Sequence, residues 1–125
     1  MAAPAASKGI ALRVVVTGGR HYADQNHVWS VLDAIHFRTP ISILMHGGAT
    51  GADALAAAWG TARGVPVEEF KADWKKYGDS AGPRRNQAML EYGDPDLVVA
   101  FPGNDGTNDM IDKTRRAQVA LKIVS

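Results

Sequence analysis

His46-Gly47-Gly48-Ala49-Thr50-Gly51-Ala52-Asp53 is the stretch from which the rest of the chain is read. The apolar run Ile41 to Met45 leads into it, and an alanine-rich helical pattern leaves it. Its glycines let the backbone turn sharply and approach a ligand with no Cβ in the way. A helix opening here begins with unpaired N–H groups and the positive end of its dipole, roughly half an elementary charge. Strand, glycine loop and helix N-terminus in that order suit a phosphate.

Working outward, Leu12 to Val16 is an apolar run broken only by Arg13, as expected of a strand buried on both faces. It ends in Thr17-Gly18-Gly19-Arg20, and Asp24 then precedes a helical pattern carrying Val28, Val31, Leu32 and Ile35 on one face. Beyond the central loop, Ala52, Leu55, Ala56, Trp59 and Ala62 fall at helical spacing, with Gly64 and Pro66 as stop signals. Val65 to Phe70 reads as a short third strand and Lys71 to Ala81 as a polar surface loop. Gly82-Pro83 opens a helix whose buried side is Ala88, Met89 and Tyr92, ended by Gly93. Asp96 to Phe101 is a fourth strand delivering Pro102 to Thr107. Thr107 is expected to cap a last helix with Met110, Ile111, Thr114 and Ala117 inward, and Leu121 to Val124 supplies a fifth strand.

Strands alternating with helices define an α/β class with a mainly parallel sheet of about five strands. In such sheets ligands bind beyond the carboxyl ends of the strands, where strand order reverses. Glycine loops follow the first, second and fourth expected strands, all at that edge. Their coincidence is the main pointer to function.

Composition narrows the classes. At 125 residues the chain makes one domain, read as a flexible tail over 1–10 and a folded unit over 11–125. No apolar run approaches the ~20 residues of a membrane helix, and the start lacks the apolar centre of a leader. The chain has no cysteine, so disulfides, thiolate metal sites and cysteine nucleophiles are excluded, which fits a cytoplasmic protein. Lys+Arg 14 against Asp+Glu 13 leaves a net charge of +1, which disfavours a general nucleic-acid-binding surface. His21, His27 and His36 lack metal spacing, and no metal or cofactor is expected.

Neither the dinucleotide fingerprint nor a P-loop occurs: Gly18-Gly19-Arg20 lacks a third glycine, and no G-x-x-x-x-G-K-[ST] is present. Instead, Thr17-Gly18-Gly19-Arg20, His46 to Asp53, Ala72-Asp73-Trp74, Ala81-Gly82-Pro83-Arg84-Arg85-Asn86 and Phe101-Pro102-Gly103-x-x-Gly106-Thr107 follow in order. Together they resemble the YspA, cpYpsA-related branch of the SLOG superfamily, from about Leu12 to the C-terminus. The resemblance implies a Rossmann-like three-layer sandwich, a site for a nucleotide or nucleotide-derived ligand held by a sensor or sequestering domain, and a homodimer. The alanine-rich helix Ala52 to Ala62 also suits close packing against a second copy.

The wider superfamily includes the Lonely-guy phosphoribohydrolases, which cleave the base from a nucleoside 5′-monophosphate, and the DNA-processing protein A family, which binds single-stranded DNA. These are the alternatives to simple nucleotide binding. The hydrolase pattern Arg-x-x-x-Met fits Arg85 to Met89, but Pro-Gly-Gly-x-Gly-Thr-x-x-Glu appears here with Asn104 for the second glycine and Met110 for the catalytic glutamate. A thioether handles no proton. Arg85 and Asp109 are the remaining candidates for catalytic roles.

Candidate ligand-binding residues come from each loop. Gly103, Gly106 and Thr107 would hold a phosphate at the last helix's N-terminus, with Thr107 alternatively only a cap. Gly47, Gly48, Thr50 and Gly51 would form a second wall, beside Gly18 and Gly19. Arg20, Arg84 and Arg85 are the candidate cations, Arg85 first, because arginine grips phosphate bidentately. Asn86 would read a ribose or base edge. Asp53 either meets a sugar, orients an arginine or simply complements its helix dipole. Trp59 belongs to the core, His46 reads as a packed residue or a catalytic one, and Trp74 either packs or stacks on a base.

Overall fold

The computed structural model describes residues 11–125; the tail expected over 1–10 lies outside the described residues. Five strands form one sheet: β1 (Leu12–Thr17), β2 (Ile41–His46), β3 (Val67–Glu69), β4 (Leu97–Ala100) and β5 (Ala120–Ile123). Their order is β3-β2-β1-β4-β5, and every pairing is parallel. Five helices connect them: α1 (Gln25–Arg38), α2 (Ala52–Arg63), the short α3 (Trp74–Tyr77), α4 (Ala81–Glu91) and α5 (Asp105–Arg116). A 3-10 turn over Gly78–Ser80 joins α3 to α4.

Side chains on β1 alternate between two cores, as the two-residue period of a strand requires. Val14 and Val16 join Leu44, Val28, Leu32, Ala56 and Trp59 under α1 and α2. Val15 points the other way, to Met45, Val98, Met89 and Met110 under α4 and α5. The result is a helix–sheet–helix sandwich of Rossmann-like form, as the alternating pattern implied.

Arg13, the break in the first apolar run, is half-buried, and its guanidinium donates twice to the Gly93 carbonyl, from Nε at 2.9 Å and Nη2 at 2.6 Å. It therefore ties the end of α4 to the sheet. Asp24 caps α1 by accepting the His27 N–H at 3.0 Å, and Gly64 ends α2 in the left-handed conformation, φ 72°. The stop at Gly64 was expected from sequence.

Several local expectations are corrected. The segment read as a loop over Lys71 to Ala81 contains α3 and the 3-10 turn, because Asp73 caps Lys76 N–H at 3.1 Å and starts a helix too short to show periodicity. Tyr92 is exposed; the buried face of α4 is Ala81, Gly82, Asn86, Met89 and Leu90. Thr107 is not a cap, since α5 begins two residues earlier with Asn104 at the cap position. Ala117 lies past the end of α5 and is exposed.

Candidate functional site

The chain leaves β1 for one flank of the sheet through α1 and β2, then crosses back to β4 on the other flank. Strand order therefore reverses between β1 and β4, and the carboxyl ends there open a crevice. The three glycine loops close over this point. Gly19 N–H donates to Pro102 O at 2.8 Å, joining the loops after β1 and β4. Ala52 N–H donates to Gly19 O at 3.2 Å and Thr50 Oγ1 donates to Arg20 O at 2.9 Å, joining the loops after β1 and β2.

Glycine is what lets these loops touch. A Cβ on Gly18 would lie 2.5 Å from that of Ala52 and 3.0 Å from that of Phe101. At Gly51, φ is 56° and a Cβ would lie 2.1 Å from the Gly19 carbonyl oxygen, so backbone conformation and space both exclude a side chain. Gly103 lies over Thr107, whose hydroxyl would be 2.1 Å from a Cβ added there.

Between the loops lies a cleft of about 1090 Å³. Of the residues singled out from sequence, Gly18, Gly19, Arg20, Gly47, Gly48, Thr50 and Asp53 line it, as do Arg85, Asn86, Gly103, Gly106, Thr107 and Asp109. Two do not. Gly51 is consumed in packing against the first loop, and Arg84 faces away, stacking at 4.3 Å over the ring of Tyr77 with Nε donating to Ser80 Oγ at 3.2 Å. Asp79 and Gly82 also line the cleft, although sequence reading gave Asp79 no role and Gly82 only that of opening a helix. Trp74 lies at its rim, 58% exposed, with its ring edge 3.2 Å from where a Gly82 Cβ would stand. The signal for this wall was Asp73, a cap that places a helix, and so Trp74, beside Gly82-Pro83.

The central glycine loop differs from a phosphate cradle. Asp53 Oδ2 accepts the N–H of Gly47 at 2.9 Å and of Ala49 at 3.3 Å. His46 Nδ1 accepts the N–H of Gly48 at 3.0 Å. The loop's own side chains thus occupy three successive donors that a phosphate would need. Burial pushes the Asp53 carboxyl above its ordinary value, against the pull of those two N–H donors and of His46 and Arg85 nearby. The helix at the other side of the cleft is freer: α5 has no side-chain cap, and a Cβ on Gly106 would meet open space.

Arg85 spans the gap between these walls. One terminal nitrogen donates to Gly47 O, and Nε donates to Asn86 Oδ1 at 3.1 Å. Burial lowers its proton affinity below the ordinary arginine value, opposed by Asp53, Asp109 and Glu69, and an arginine so placed stays charged. Asn86, itself 3% exposed, donates Nδ2 to Gly106 O at 3.2 Å and to Asp109 Oδ2 at 3.0 Å. Lys113 Nζ donates to the other Asp109 oxygen at 2.6 Å. Burial works to raise the Asp109 carboxyl, but Lys113 and Asn86 outweigh it and hold the group below its usual range. Asp109 is therefore built to stay ionised and to hold Asn86. Met110, at the position of the hydrolases' glutamate, is fully buried in the core beneath α5.

A parallel sheet of this order, with its loops gathered over the reversal point, defines a Rossmann-like α/β domain. The chain belongs to the YspA, cpYpsA-related SLOG family, whose model matches residues 12–77. The Gene 61 protein of Mycobacterium phage D29 is 41% identical over 118 residues, covering 87% of this chain and 93% of that relative. No solved structure matches the chain. At the level of the family, SLOG domains are associated with nucleotide-related ligands. Among the described residues no helix is long and apolar enough to cross a membrane.

Proposed function

We propose that the cleft binds a nucleotide or nucleotide-derived small molecule, and that the chain acts as a sensor or sequestering domain for it. The observation that carries this reading is the convergence of three glycine loops over the point where strand order reverses. The phosphate sits at the uncapped N-terminus of α5, against Gly103, Gly106 and Thr107, where backbone N–H groups and the helix dipole favour an anion. Because that dipole supplies only ~0.3–2 kcal/mol, Arg85 and Arg20 provide the positive charge that makes binding tight. Trp74 at the rim offers a face to a base.

Charge in the cleft limits the phosphate count. Arg20 and Arg85 are set against Asp53, Asp79, Asp105 and Asp109 in its lining. That balance suits a single phosphate better than a triphosphate or a nucleic-acid strand. Titration calorimetry with nucleoside monophosphates, ADP-ribose and cyclic nucleotides tests the reading. Binding of at least one, weakened about tenfold or more in Arg85→Ala, supports it. Absence of binding at millimolar concentration in both proteins would overturn it.

A further inference from the structure

Asp53 is 5% exposed and lines the cleft from the first turn of α2. Its Oδ2 is used twice, by the N–H groups of Gly47 and Ala49. Its Oδ1 has no hydrogen-bond partner, and among the described residues no other buried side-chain nitrogen or oxygen is in that condition. Leaving a buried polar atom unpaired costs roughly 1–3 kcal/mol, more when it carries charge. An oxygen kept this way in the wall of a cleft is open to a donor that arrives with a ligand and shifts the side chains over it.

We propose that Oδ1 of Asp53 accepts a hydroxyl of the ligand's sugar, so that the cleft selects ribonucleotides over nucleotides lacking the 2′ and 3′ hydroxyls. The inference rests on the nucleotide reading above and specifies its ligand. In its ionised form the carboxylate accepts hydrogen bonds and donates none, and in that form it repels phosphate oxygens from this position. A nucleotide's donors are its sugar hydroxyls and the N–H groups of its base. Position chooses between them. Asp53 bonds Gly47, Gly47 O takes Arg85, Arg85 bonds Asn86, and Asn86 bonds Gly106 in the first turn of α5. One arginine thus separates the acceptor from the phosphate end of the cleft. The group next to a nucleotide's phosphate is the sugar, whereas the base lies a sugar's width further on, toward the rim that Trp74 forms.

The substitution that tests this is Asp53→Asn. The amide oxygen still accepts from Gly47 and Ala49, while the position of Oδ1 passes to an uncharged NH₂ group. Calorimetry would compare adenosine, guanosine and cytidine 5′-monophosphates with their 2′,3′-dideoxy counterparts on both proteins, with melting curves of each protein alone. The wild type is expected to favour each ribonucleotide by about tenfold or more, and Asp53→Asn to bring that ratio toward one. Equal binding of the two series by the wild type overturns the inference and leaves the nucleotide reading standing, and this comparison needs no variant. A preference that persists in a folded Asp53→Asn, or one that follows the base and ignores the sugar, also overturns it. If neither series binds, the nucleotide reading fails and the inference fails with it.

Discussion

Asp53 and Gly47, six residues apart, close the central glycine loop on itself: the Gly47 N–H donates to Asp53 Oδ2 at 2.9 Å. The same oxygen takes the Ala49 N–H at 3.3 Å, so a single carboxylate holds both ends of the turn. Asp53→Ala strands both donors and is expected to lose about 1–3 kcal/mol in urea unfolding, whereas Asp53→Asn keeps an acceptor and loses less. Burial also gives the pair a pH signature. An acid whose folded value is raised holds its proton more tightly folded than unfolded. Its contribution therefore favours folding at low pH and declines as pH climbs from the unfolded value through the folded one. The stability of the wild type relative to Asp53→Asn should fall across that window; a difference constant with pH would contradict the assignment.

Gly47 and Gly51 lie in the same loop yet respond differently to a methyl group. The nearest atoms to a Cβ on Gly47 belong to the guanidinium of Arg85, with Nη1 at 2.6 Å, and the flexible end of an arginine can move. A Cβ on Gly51 meets backbone, with φ already at 56°. Gly51→Ala is expected to destabilise the fold by ~3 kcal/mol or more, or to prevent soluble expression. Gly47→Ala should melt within a few degrees of the wild type while displacing Arg85 from the cleft. Thermal melting of the two variants side by side checks the contrast, and equal losses would refute it.

These contrasts show where sequence reading succeeds and where it stops. Strands and helices were legible because burial imprints a period: Val14 and Val16 against Val15, or Ala52, Ala56 and Trp59. The loops were legible because clustered glycines at a strand's carboxyl end mark a sharp turn or a close backbone approach. Pattern says nothing, however, about which partner a group takes. Asp53 in the first turn reads alike whether it meets a sugar, an arginine or its own loop, and only the fold shows Gly47 and Ala49 beside it. Arg84 and Arg85 are neighbours in sequence, but one residue turns a side chain by ~100° on a helix, and one of them leaves the cleft. Thr107 resembled a cap because threonine before a helical pattern usually is one; α5 starting at Asp105 places it inside the first turn, under Gly103. Four residues, the length of α3, are too few to carry a period at all.

Arg13 joins the sheet to α4. Both of its donors to the Gly93 carbonyl originate near the start of an otherwise apolar strand, and Asp96 Oδ2 accepts its backbone N–H at 2.9 Å. Arg13→Met keeps an apolar stem and leaves the carbonyl without these donors. A loss of roughly 1–3 kcal/mol is expected. Arg13→Lys offers one donor group without the planar fork and should recover only part of it. Chemical denaturation of the three proteins orders them; Arg13→Met matching the wild type would show that the contact contributes nothing.

Asp33 supplies the last prediction, from the face opposite the α4–α5 layer. Its Oδ1 accepts from Trp59 Nε1 and Arg63 Nε, both at 2.8 Å, and its Oδ2 from Arg63 Nη2 at 2.9 Å. The Arg63 and Trp59 hydrogen bonds bring its carboxyl down to about 2. A depressed folded value acts in the opposite sense to Asp53: the stabilisation is fully present above the unfolded value near 3.8 and is lost as pH falls toward about 2. The pair is open to solvent, so screening reduces its contribution well below what the shift alone implies. Trp59 is different, being fully buried, and its indole N–H needs that carboxylate. Asp33→Ala should therefore destabilise the fold at neutral pH, with the difference shrinking between about pH 4 and 2. High salt should weaken the Arg63 share and leave the Trp59 share in place. Urea unfolding of Asp33→Ala and Arg63→Ala at low and high salt separates the two, and a salt-insensitive Arg63→Ala deficit as large as that of Asp33→Ala would show that the arginine, and not the indole, is the partner that matters.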